Sequence, residues 1–253
     1  MRYKAVLTVM PLEDRFIFRP KRVGHPAGLG ADVHVKTADG LALHARYALR
    51  AYAYFNVLYL HGSRGNLATR PAPLRWLCFA NANVLGLDYR GYGKSEGKPS
   101  EAGLCCDAQA AYDWLAARAL PSSIVVVGEG LGAGPACDLA RTRNVGALVL
   151  ISAFTNLPEL AAARYPLAPT RWLVRSQFDN LTKVAAVTVP KLFIHSRADE
   201  RVPFAMGERL YAAAAEPKSA LWLDRMKHDE LWGDTGEMLA RALGQFLKTL
   251  PIG

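Results

Sequence analysis

Apolar positions along this chain recur first at one spacing and then at another, and the order of the two predicts most of its architecture. Residues 32–36 alternate polar and apolar and read as a strand with one solvated face. Ala38-Asp39-Gly40 follows, an Asp-Gly turn that favours a tight hairpin, and 41–48 reads as the partner strand. Beyond the hairpin the strands become short continuous apolar runs, at 56–60, 83–87, 124–127, 147–151, 191–195 and 220–223. Such runs suit strands buried on both faces of a parallel sheet. Helical stretches lie between and after them, over 74–81, from a Ser100 cap to about Leu120, and over 131–143, 203–215 and 236–247. The pattern predicts an α/β fold, a mostly parallel twisted sheet with an initial antiparallel hairpin and helices on both faces.

Segment 158–181 breaks the strand–helix rhythm. It holds Pro158, Pro166 and Pro169, the aromatics Tyr165, Trp172 and Phe178, and Arg164, Arg171 and Arg175. We read it as a short cap over the carboxyl edge of the sheet; an ordinary crossover helix with a loop is the competing reading. Residues 1–30 read as an N-terminal arm with an apolar anchor at Phe16, Ile17, Phe18 and Pro20. With no internal repeat, low-complexity tract or linker, residues 1–253 read as one domain.

Composition narrows the class. A chain of 253 residues that is 51 % hydrophobic can bury a sizeable core. No apolar run approaches the ~20 residues of a spanning helix, so no integral membrane segment is expected. At the start, Arg2 and Lys4 precede an apolar stretch over 5–10, shorter than the ~7–15-residue core of a signal peptide and without a small-residue cleavage site. A docked arm is preferred there over the remnant of a membrane anchor. Cys78, Cys105, Cys106 and Cys137 show no C-x-x-C spacing and suggest reduced, cytoplasmic usage. No His/Cys/carboxylate cluster has metal-ligand spacing, so neither a metal nor another cofactor is expected. The net charge of +9 comes from scattered bases without a dense run interleaved with aromatics, which points to a solvated surface and away from nucleic acid. It leaves open a weak attraction to anionic surfaces or substrates.

The chemistry concentrates at 124–137, I-V-V-V-G-E-G-L-G-A-G-P-A-C. Four β-branched residues make a buried strand, glycines recur at spacing two, and Pro135 sits where a helix's first turn tolerates it. Strand, sharp glycine turn and helix are the context of a nucleophile elbow, G-x-S-x-G. Here Gly128 and Gly132 fit the outer positions, and the central serine is Gly130. A dinucleotide loop fits worse. The spacing is G-x-G-x-x-x-G, and the next strand ends in Ser152-Ala153 where an acidic residue would be needed.

Five pieces together resemble the α/β-hydrolases, most closely their serine-aminopeptidase and acyl-hydrolase branch. They are H-G-S at 61–63, D-Y-R-G-Y-G-K-S at 88–95, G-E-G-L-G at 128–132, H-S-R-A-D-E-R-V-P at 195–203 and K-H-D at 227–229. The resemblance runs from Phe16 to Leu247 and implies an α/β-hydrolase fold acting on a small-molecule acyl ester or thioester. Chain order in that family is nucleophile, acid, histidine, which implies Asp199 as the acid, with Glu200 as its neighbour and competitor, and His228 as the base. The imidazole would take and return a proton, and Asp199 would hold its tautomer. By the same resemblance the backbone amides of Ser63 and Leu131 would form the oxyanion hole.

Other candidates fit less well. Gly93-Lys94-Ser95-Glu96-Gly97 is a literal G-x-S-x-G string, but no helix follows it directly and Lys94 and Glu96 are bulky for an elbow. The cysteines lie off the elbow, and Glu129, one residue from its centre, is expected to point away. Gly130 relieves the backbone strain of the elbow but supplies no attacking oxygen. Three readings follow: a hydrolase disabled at Gly130, a non-catalytic small-molecule binder that reuses the pocket, or a site where His228 acts as general base on water.

Overall fold

The computed structural model describes residues 17–22, 29–167, 174–233 and 235–251. The apolar runs become strands. The first is a short β1 (Arg19–Pro20), followed by the hairpin strands β2 (Ala31–Lys36) and β3 (Ala42–Ala48). Then come β4 (Phe55–Leu60), a short β5 (Arg64–Gly65), β6 (Ala82–Leu87), β7 (Ile124–Glu129), β8 (Ala147–Ile151), β9 (Lys191–Ser196) and β10 (Lys218–Leu223). Every residue of β4, β7, β8 and β9 is buried, as their mostly apolar sequences favour, and the polar Asn56, Glu129, Lys191, His195 and Ser196 are buried with them.

The main sheet has eight strands in the order β10-β9-β8-β7-β4-β6-β3-β2. The β2–β3 and β3–β6 pairs are antiparallel and all others are parallel. The long helices are α1 (Pro71–Phe79), α2 (Glu101–Ala116), α3 (Ala133–Thr142), α6 (Phe204–Ala213) and α7 (Gly236–Lys248), and between α3 and α6 lie the shorter α4 (Leu157–Arg164) and α5 (Asn180–Ala185). Leu74, Leu77, Leu239 and Leu243 bring α1 and α7 onto one face. Leu104, Leu139, Val184 and Leu210 bring α2, α3, α5 and α6 onto the other. The Ser100 hydroxyl caps α2 by accepting from the Gly103 amide, as its sequence position predicts. No helix among the described residues is long and apolar enough to cross a membrane.

Strand order places the crevice. From β4 the chain steps to β6 on one side, then crosses back to β7 on the other. The connections after adjacent carboxyl ends therefore diverge, and between them opens the gap where open α/β sheets bind ligands.

Several boundaries shift from the sequence reading. The helix expected at 74–81 begins three residues earlier, at Pro71, because proline suits a first turn. The helix expected over 131–143 starts with a tight turn, Gly130–Gly132, before α3 proper. The loop expected at 64–66 contains β5, which pairs in parallel with β1. A two-residue pairing has too few positions to show a period.

Candidate active site

The elbow lies at the carboxyl end of β7 and is buried throughout. Its outer glycines are steric requirements. A Cβ on Gly128 would lie 2.6 Å from the Ala136 Cβ, and one on Gly132 only 2.0 Å from the Leu60 carbonyl oxygen. Gly130 differs: its φ is +52°, yet a Cβ there would meet nothing nearer than the Gly62 Cα at 3.8 Å. The backbone holds the left-handed conformation, and there is room for a side chain.

Asp199 follows β9 and His228 follows β10, and the fold brings the two together. His228 Nδ1 lies 2.9 Å from Asp199 Oδ2 and 3.1 Å from Oδ1. The Val202 and Arg201 amides each donate to Asp199 Oδ1 at 2.9 Å, which fixes the carboxylate's plane. Burial by itself would raise the Asp199 pKa; hydrogen bonding and charge from His228, with the two amides, outweigh it and hold the carboxyl at about 2. Asp199 therefore stays ionised beside the imidazole. Glu200 accepts from the His228 amide at 3.0 Å and holds the loop, while Asp199 holds the ring.

The turn after β4 faces the elbow. The Tyr89 hydroxyl donates to the His61 carbonyl at 2.9 Å, and the Tyr92 hydroxyl and the Arg19 amide both donate to the Ser63 carbonyl at 3.0 Å. These bonds orient the His61–Ser63 peptides. Leu131 directly follows Gly130 and is buried, whereas Ser63 is partly exposed. His61 is buried 3.6 Å from Asp88, and His195 Nε2 donates to the Val202 carbonyl at 3.0 Å.

The sequence reading missed a buried network around Glu129. The Glu129 carboxylate receives the Tyr59 hydroxyl at 2.5 Å, an Arg70 guanidinium nitrogen at 2.6 Å and the Trp232 indole N–H at 2.8 Å. Burial opposes its charge, but Arg70, Tyr59 and the nearby His228 overcome that penalty and lower it to about 2. One carboxylate thus joins β4, the loop before α1, the elbow and the loop that carries His228. Ser152 was also missed. Glu129 and Ile151 are register partners, so Gly130 and Ser152 leave the sheet side by side. Ser152 has φ +47°, and its buried hydroxyl has no hydrogen-bond partner among the described residues. Ser152 carried no motif to reveal it, and the elbow motif around Glu129 gave no sign of the residues that its carboxylate meets.

Remaining candidates have structural duties or lie elsewhere. The Ser95 hydroxyl donates to the Asp88 carbonyl at 2.6 Å and accepts from the His44 amide at 2.9 Å, deep in the protein. Burial pushes the Cys105 thiol up to about 11 and the Cys137 thiol up to about 12. Of the three aromatics singled out in 158–181, Phe178 is fully buried and packs edge-on against Phe18 at 6.3 Å. Tyr165 is exposed, and Trp172 lies outside the described residues.

The sequence model of the alpha/beta hydrolase family matches residues 57–249. The chain is 38 % identical over 251 residues to the uncharacterized protein Rv2307c of Mycobacterium tuberculosis, covering 96 % of this chain and 89 % of that one. It is 30 % identical over 258 residues to the uncharacterized protein YfhR of Salmonella typhi, covering 93 % and 88 %. In structure it resembles the esterase Pf2001 of Pyrococcus furiosus, with a TM-score of 0.75, 23 % identity and coverage of 92 % and 99 %. It also resembles the esterase domain of a Rhodothermus marinus protein, with a TM-score of 0.67, 21 % identity and coverage of 87 % and 98 %. At these identities the structural likeness is one of fold.

Proposed function

This chain belongs to the alpha/beta hydrolase family, and from that premise we propose that its site is built to hydrolyse small-molecule acyl esters or thioesters, with a glycine standing where the attacking serine would. The observation that carries the reading is the His228–Asp199 pair at 2.9 Å, held at the strand ends beside an elbow whose centre keeps φ at +52°. In this reading His228 is the general base and later the acid that protonates the leaving group. Asp199 orients its ring and stabilises the imidazolium. The Ser63 and Leu131 amides stabilise the oxyanion. The described residues of segment 158–181 cap the pocket, residues 168–173 lying outside the described ones. No cofactor and no nucleic acid take part. The setting is cytoplasmic, where the four thiols stay reduced.

Without an oxygen at Gly130 no acyl-enzyme can form, and loss of a serine nucleophile costs on the order of 10⁶-fold in rate. Turnover by the chain as it stands is accordingly weak or nil. The intact Asp199–His228 pair supports a second reading, in which His228 activates water directly. A pocket that binds small molecules without turnover is the outcome if neither mechanism operates.

Gly130→Ser tests the proposal. The variant should gain p-nitrophenyl acetate hydrolysis with an acyl-enzyme burst. It should also lose about 1–2 kcal/mol of stability, because serine must hold a left-handed backbone. Gly130→Ala and the double variant Gly130→Ser/His228→Ala should stay inactive. A folded Gly130→Ser protein no faster than its parent would remove the hydrolase reading. A parent that already turns over and loses that activity on His228→Ala would favour the water mechanism.

A further inference from the structure

Four arginines from separate elements converge beside the site. Arg64 directly follows Ser63, and its register partner across the β1–β5 pair is Arg19. Side chains at paired positions project to the same side of a sheet, so these two guanidiniums stand together. Arg201 lies two residues beyond Asp199; its amide donates to the Asp199 carboxylate, and its guanidinium pairs with Asp229, next to His228. Arg164 ends α4, the helix that follows β8. β1, β5, the loop after β9 and α4 thus each contribute one of these cations.

Three of the four lack a carboxylate partner among the described residues, unlike the arginines of the buried networks, while Arg201 is paired with Asp229 and Glu200. Arg70 is paired with Glu129, Arg90 with Asp39 and Asp107, and Arg46 with Asp32. The side chains of Arg19, Arg64 and Arg164 make no hydrogen bond or ion pair with any described residue. Burial, and then repulsion from Arg201, Arg19 and Arg164, pushes the Arg64 guanidinium below its ordinary value, with Asp229 opposing. Like charges in opposed strand positions destabilise a fold unless something compensates them. A planar guanidinium with free donors is the group best shaped to grip a carboxylate or phosphate.

We propose that the Arg19–Arg64–Arg164–Arg201 cluster binds an oxyanion carried by the substrate, so that the site selects esters or thioesters whose acyl or alcohol part bears a carboxylate or phosphate. The selection for hydrolysis rests on the function proposed above; the binding does not. An anion gripped beside Ser63 places the rest of the substrate between the two strand-end turns, and remote binding energy is then available to orient the reacting carbonyl. The cluster also gives part of the chain's excess positive charge a location and a purpose.

Calorimetry on the unaltered protein at low salt tests the binding, with monomethyl succinate and glycerol phosphate as anionic probes and dimethyl succinate as the neutral one. At least one anion should bind about 10-fold more tightly than the neutral ester, and Arg64→Ala should remove that margin. Whichever anion shows the margin identifies the group recognised. Arg64→Lys should keep part of it, and Arg118→Ala, whose guanidinium stacks 3.8 Å over Trp114, should leave it intact. Thermal unfolding confirms that each variant is folded. Equal binding of anionic and neutral probes, or a margin that survives both Arg64→Ala and Arg19→Ala, overturns the proposal. In the Gly130→Ser background, p-nitrophenyl hemisuccinate should exceed p-nitrophenyl butyrate in kcat/KM, and Arg64→Ala should lower that ratio. If Gly130→Ser hydrolyses both esters without preference, the anion site falls and the hydrolase reading stands. If it hydrolyses neither while the parent binds an anion through Arg64, the hydrolase reading falls and the anion site stands.

Discussion

Gly128, Gly130 and Gly132 lack a side chain for three different reasons. Gly128 lets α3 pack onto β7, and Gly132 lets the turn approach the Leu60 carbonyl; a Cβ at either would lie 2.6 Å or less from a neighbour. Gly130 has space but holds φ at +52°. Alanine substitutions should separate these causes. Gly132→Ala collides with backbone that cannot give way, and should cost about 3 kcal/mol or more. Gly130→Ala adds only conformational strain, and should cost about 1 kcal/mol. Urea unfolding of the two variants checks this; equal losses would mean that crowding does not distinguish the positions. The two outer glycines were legible in the sequence as an elbow, since spacing alone carries that motif. That the middle position has room for a side chain was not, because the clearance depends on Gly62, sixty-eight residues earlier.

Among elements, the loop carrying His228 is held by the end of β7. Trp232 donates its indole N–H to Glu129, and its backbone carbonyl accepts from Trp76 on α1 at 3.1 Å. Glu129→Gln preserves the shape of the side chain and removes the buried charge that balances the half-buried Arg70. Breaking a buried ion pair from one side should cost about 3 kcal/mol. In the Gly130→Ser background the same change should also lower kcat, since the His228 loop loses an anchor. Chemical unfolding and steady-state kinetics provide the two readouts. If Glu129→Gln is as stable as its parent, the network does not hold the loop. Glu129, one residue from the elbow's centre, was expected to point away from the site. Its side chain does enter the interior, where it ties the surrounding loops together.

At the scale of the whole molecule, three of the buried carboxylates make stability depend on acid, whereas burial raises the pKa of a fourth, Asp107. Burial raises the pKa of Asp88, Glu129 and Asp199, but hydrogen bonds and neighbouring cations prevail and hold each at about 2. Because the folded values lie below the unfolded ones, all three stabilise the fold above the ordinary carboxylate range, and that contribution is lost as pH falls from about 4.5 to about 2. His44 acts with the opposite sign. Its hydrogen bond to Asp88 outweighs burial and raises its value above 6.5, so its contribution is full at lower pH and is lost as pH rises through the folded value. Melting temperature should therefore change little between pH 5 and 6 and fall steeply below about pH 4.5. Glu129→Gln should make the acid limb shallower. A melting temperature that stays constant down to pH 3 would count against these ionisation states.

Strand and helix types, the opening hairpin and the elbow follow from short-range pattern, because each depends on residues within a few positions of one another. Asp199 and His228 were legible through their order after successive strands, and the fold then set them 2.9 Å apart. The sheet order that opens the crevice between β4 and β7 was settled by packing, since buried apolar strands carry no mark of their neighbours. The same holds for buried charge. Glu129 finds Arg70 from 59 positions away and Trp232 from 103, and Arg64 meets Arg19 only because two residues of each strand pair. Local sequence determines which elements can form, whereas the partner of a buried ion is decided by which surfaces those elements bring together, and that is a property of the whole fold.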